Sequence, residues 1–103
     1  MGLEKRISLD HPIPKWSEWA DLLQKEGIIP QMRMIDGELA FPDEIPPSDW
    51  RELRVADQGA MVTIRRGEKE IILVGWNSDD PAQESLMSGL AKALASFGRN
   101  RSS

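Results

Sequence analysis

Two hydrophobic spacings alternate along this chain. Trp16, Trp19, Ala20 and Leu23 recur at i, i+3, i+4 and i+7, which is one helical face. Pro14 suits the first turn of that helix, and Gly27 followed by Ile28 and Pro30 suits its end. The spacing predicts a helix over residues 14–26. Leu86, Met87, Leu90, Leu94 and Phe97 repeat the pattern near the other end of the chain. Asp80 as N-cap, Pro81 at N1 and Gln83 at N3 start this second helix in a capping-box arrangement, and Gly98 is expected to close it. Ser78 and Asp79 belong to the same acidic helix start.

Between the helices the period drops to two. Asp36-Gly37 is a hairpin signal of the type I′ kind, pairing Ile35 with Glu38, Met34 with Leu39, and Met32 with Phe41. That register puts Met32, Met34, Leu39 and Phe41 on one face. Residues 42–49 form a proline-rich connector. Residues 50–57 then alternate, with Leu53 and Val55 on one side and Glu52 and Arg54 on the other. A turn at Gln58-Gly59 pairs Val55 with Val62 and Leu53 with Ile64. A turn near Gly67-Glu68 pairs Ile64 with Ile71 and Val62 with Leu73. The opposite face then lines up Glu52, Arg65 and Glu70, which favours cross-strand ion pairs. Residues 6–9 allow a short edge strand before Pro12 ends it.

Strands joined by short turns are antiparallel, and two amphipathic helices must bury their stripes. The expectation is one α+β domain over residues 1–98: a two-layer sandwich of about five antiparallel strands with a helix at each end, in the order α-β-β-β-β-β-α. Residues 99–103 are expected to be a flexible polar tail.

The parity of residues 71–76 gives a second result. If Ile71 and Leu73 face the helices, then Ile72, Val74 and Trp76 face away, beside Met61, Thr63 and Ala56. Uncovered, that second apolar face is large for a monomer. The first hairpin, the N-terminal segment with Ile7 and Leu9, or a second subunit are its candidate covers.

Composition narrows the chemistry. The 103 residues hold no cysteine, so disulfides, thiolate metal sites and cysteine nucleophiles are excluded. His11 is the single histidine, and no serine sits in a GxSxG elbow. Phosphate-loop and EF-hand spacings are absent. The inventory points away from an enzyme, and no cofactor or metal is expected. Net charge is −4, and residues 28–57 carry three arginines against seven carboxylates, the whole excess. That balance argues against nucleic acid, whose phosphates are met by Lys and Arg. No apolar run approaches the ~20 residues needed to cross a membrane. A cytoplasmic location is expected.

The functional expectation is a non-enzymatic protein-interaction or homodimerising module, with Met61, Ile72, Val74 and Trp76 as its interface. One alternative is a small-molecule or anion-binding domain with a pocket between sheet and helices, lined by His11, Arg33, Trp50 and Arg54. Another is an acidic inhibitor or immunity-like protein, docking a basic target through Asp36, Glu38, Asp43, Glu44 and Asp49.

Overall fold

The computed structural model describes residues 3–76 and 80–102. Eight elements follow in order: β1 (Leu3–Ser8), α1 (Trp16–Lys25), β2 (Gln31–Ile35), β3 (Glu38–Leu39), β4 (Glu52–Asp57), β5 (Ala60–Arg66), β6 (Glu70–Gly75) and α2 (Pro81–Ser102). The strands make one antiparallel sheet in the order β1-β6-β5-β4-β2-β3. The fold is therefore the expected α+β class with six strands. The sixth is β1, which begins and ends earlier than the predicted edge strand and pairs along all of β6.

α1 ends as its sequence dictates. Gly27 takes φ +82, its N–H donates to Gln24, and the Ile28 N–H donates to Leu23, each at 3.0 Å. These two bonds satisfy carbonyls that the last helical turn leaves open. At the other end, the Lys15 N–H donates to Glu18 Oε1 at 3.3 Å. Trp16, Trp19 and Leu23 are buried, and the two tryptophan rings meet edge to face at 5.5 Å. Trp19 Nε1 donates to the Leu90 carbonyl at 3.1 Å, which fastens α1 to α2.

α2 lies on β5 and β6, with α1 beside it. Leu86, Met87, Leu90, Ala93 and Leu94 interlock with Leu53, Val55, Val62, Ile64, Ile71 and Leu73 in one core cluster. Asp80 caps α2 by accepting the Ala82 N–H at 3.0 Å. The helix passes through Gly98 rather than stopping there. Ser78 and Asp79 lie outside the described residues, as do Ser103 and the side chains of the predicted tail.

The sheet departs from its predicted register in two places. The β4–β5 turn is as expected: Gln58 and Gly59 both have positive φ, and Leu53 pairs with Ile64 and Val55 with Val62. The β5–β6 turn sits one residue later, so Ile64 pairs with Leu73 and Arg66 with Ile71. A two-residue shift preserves which face each side chain occupies. It does separate Arg65 from Glu70. Arg65 keeps Glu52, with Nε 3.1 Å from Oε2, while Glu70 meets Arg6 of β1 at 3.3 Å.

The second departure is a β-bulge. Met34 pairs with Leu39 and Ile35 with Glu38, about a turn in which Asp36 and Gly37 both have positive φ. Against β4, however, Met32 pairs with Val55 and Met34 with Arg54, so Arg33 is the extra residue. Met32 and Ile35 therefore pack on the core, while Met34 and Leu39 turn to the opposite face. The expected Met32/Phe41 pairing is absent. The Met32 N–H donates to Pro42 at 3.0 Å, and Phe41 is 75% exposed.

Candidate functional site

Both helices lie on the face that carries Leu53, Val55, Val62, Ile64, Ile71 and Leu73. The opposite face is open: no described element lies across it. The hairpin and the N-terminal segment were candidate covers, and the structure makes both of them sheet strands instead. β1 extends the sheet beyond β6, and β2–β3 extend it beyond β4. Ile7 and Leu9 pack on the helix side, against the core. Internal covering of this face by either segment is thus corrected.

The strand register arranges the open face in rows that cross the sheet. One row runs Glu4, Val74, Thr63, Arg54, Met34, Leu39. The next runs Arg6, Ile72, Arg65, Glu52. Met61 and Ala56 are paired in the row on the other side of Thr63. Ile72, Val74 and Met61 are half-buried by their own neighbours and belong to no core cluster. Arg54 lies along the sheet, its Nε donating to Thr63 Oγ1 at 3.3 Å. Leu39 is 89% exposed and Trp76 59%. The face is an apolar band bounded by arginines and glutamates.

Trp76 is held by the other side of the sheet. Met61 and Trp76 stand where the next β5–β6 pair would form, but the Gln83 carboxamide enters between their backbones. Its Oε1 accepts the Trp76 N–H at 3.0 Å, and its Nε2 donates to the Met61 carbonyl at 2.6 Å. Gln83 was expected in a capping box, and these two bonds give it a role in the sheet. Gly75 makes room for it, because a Cβ there would lie 2.9 Å from the Gln83 amide carbon. This bridge was not visible in the sequence. The pairing of a glycine that ends a strand with a buried glutamine one turn into the next helix was its only sign.

The four residues expected to line a pocket are dispersed. His11 lies against Phe97, ring centroids 5.5 Å apart and planes tilted by 53°. Trp50 is wholly buried beneath Arg66, whose guanidinium carbon lies 4.8 Å from the ring centroid. Its Nε1 has no hydrogen-bond partner among the described residues. Arg54 is on the open face. Arg33 lines a cavity of about 170 Å³ with Gln31, Ala56, Gln58 and Met61, at the margin of that same face. A larger cleft of about 460 Å³ lies between Gly27, Ile28, Gln58 and the first turns of α2. It contains none of the four.

The acidic residues also divide. Asp36 Oδ1 accepts the N–H groups of Arg51 and Glu52 at 2.8 and 2.9 Å, and these bonds hold its carboxyl below the usual carboxylate range. Asp36 thereby ties the hairpin tip to the start of β4. Glu44 Oε1 accepts the Phe41 N–H at 3.1 Å, and the Glu44 N–H donates to the Phe41 carbonyl, closing the turn after β3. Glu38, Asp43 and Asp49 are exposed. No described helix is long and apolar enough to cross a membrane. Comparison with protein families, with curated proteins and with solved structures gives no match.

Proposed function

We propose that the protein works by association with another protein surface through its open sheet face, centred on Met61, Ile72, Val74 and Trp76. The observation that carries this reading is topological. The two segments able to fold over the face both lie in the plane of the sheet. Half-buried Ile, Val and Met beside an exposed Trp form the composition found at the centre of protein interfaces, with charged residues at the rim. The centre of the face is apolar, and its one hydroxyl, Thr63 Oγ1, accepts from Arg54 Nε, so the reading is binding rather than catalysis.

Gel filtration of unfractionated extract from cells expressing the tagged chain tests this. Wild type is expected ahead of the monomer position, and Val74→Glu at it, because a carboxylate in the apolar band must be desolvated by any partner. Wild type eluting as a monomer in extract refutes the reading. Far-UV circular dichroism of the purified variant checks that its fold is kept.

A further inference from the structure

We infer that the partner is a second copy of this chain, packed face to face about a two-fold axis that runs along the strands; this rests on the association reading above. The open face is electrically self-complementary. Its six charged row positions on β1, β6, β5 and β4 are Glu4, Arg6, Glu70, Arg65, Glu52 and Arg54, three of each sign, in a chain of net charge −4. A second copy therefore meets no net like charge across these four strands.

The order within the rows is more specific. One row begins with Glu4 on β1 and reaches Arg54 on β4; its neighbour begins with Arg6 and reaches Glu52. Both rows cross the same four strands with opposite polarity. A two-fold axis along the strands, placed between β6 and β5, reverses each row and keeps it level with itself. It sets Glu4 over the partner copy's Arg54 and Arg6 over its Glu52, each twice by symmetry. Between them Val74 meets Thr63, and in the row beyond, Trp76 meets Met61. Rotation about the perpendicular in-plane axis instead stacks β1 on β1 and sets Glu4 over the partner copy's Arg6 and Arg54 over its Glu52, so that in that arrangement a reversal at Glu4 does not compensate one at Arg54. Two antiparallel sheets packed in this aligned way form a β-sandwich.

A charge-reversal cycle read by sedimentation equilibrium of the purified protein tests the arrangement. Wild type is expected to be dimeric at high micromolar concentration. Arg54→Glu and Glu4→Arg should each weaken the dimer about tenfold, since each turns two symmetry-related attractions into repulsions. The double variant should return to near wild-type affinity. Within one copy Glu4 and Arg54 are three strand spacings apart, about 14 Å. That exceeds the screening length of about 8 Å at physiological salt, so rescue must arise between copies. Double-variant losses that simply add overturn the two-fold arrangement. A purified wild type that stays monomeric overturns the second-copy inference. In that case a high-mass complex in extract leaves the association reading standing with a different partner, whereas a monomer in extract removes both.

Discussion

Replacing Gln83 by leucine separates the bridge from the packing around it. Gln83 is 3% exposed, and its carboxamide stands in for the backbone bond that Met61 and Trp76 do not make with each other. Leucine nearly matches its volume but leaves the Trp76 N–H and the Met61 carbonyl facing an apolar side chain. Each such group costs about 1–3 kcal/mol when its partner is removed, and the added apolar burial offsets part of this. We expect Gln83→Leu to destabilise by about 2–4 kcal/mol, a fall in Tm of about 10–20 °C for a domain of this size. Urea denaturation followed by far-UV circular dichroism measures it, at one fixed protein concentration, because association adds to apparent stability. Gln83→Glu provides an internal control. Its carboxylate accepts the Trp76 N–H but meets the Met61 carbonyl oxygen without a proton to donate. The folded pKa of that glutamate should therefore be raised above its unfolded value. The variant should regain stability relative to wild type as pH falls through that raised value, and lose it as pH rises. A Gln83→Leu protein within about 0.5 kcal/mol of wild type refutes the bridging role.

Three further substitutions test other features. Trp19→Phe removes the bond to Leu90 and leaves a cavity in a fully buried site, with an expected loss of about 2–3 kcal/mol by the same denaturation assay. Asp36→Asn keeps an acceptor for the Arg51 and Glu52 N–H groups but not the charge. Because the folded carboxyl is held below its ordinary value, wild type should lose stability as pH falls through and below about 4, and the variant should lack that component; a wild-type minus variant difference that is flat from pH 6 to 2 refutes it. Gln58 has φ +51 in the β4–β5 turn, so Gln58→Asn, which tolerates that region better, should raise stability by up to about 1 kcal/mol.

Elements were legible where local chemistry decides them. The stripe of Trp16, Trp19 and Leu23, the glycine stop at Gly27 and the two turns at Asp36-Gly37 and Gln58-Gly59 all form as their sequences require. The β4–β5 register follows, because a two-residue turn leaves no freedom in pairing. The turn after Arg66 has no such fixed chemistry, and its centre was misplaced by one residue. Alternation still assigned Ile71 and Leu73 to the core and Ile72 and Val74 to the other face, since a shift of two preserves parity. The Arg33 bulge was hidden for the opposite reason. It is imposed by pairing with β4, a long-range contact across the proline-rich connector, and it reverses the face of Met34. The open face was thus foreseen in its residues, but its bareness was not. That depended on β1 and the hairpin joining the sheet edges, which only the strand order reveals.

The core and the open face meet at one side chain. Gln83 belongs to the buried stripe of α2, yet the backbone it holds is that of Trp76 and Met61, which end the apolar band on the far side of the sheet. Docking of α2 therefore sets the geometry of one end of the association surface. Trp19→Phe and Gln83→Leu are expected to cost similar stability, but only the second releases Trp76. Self-affinity measured at a temperature where both variants are folded should fall several-fold for Gln83→Leu and stay at the wild-type value for Trp19→Phe. An equal fall in both would mean that association follows global stability, and that the Gln83 bridge is a structural tie with no part in shaping the face.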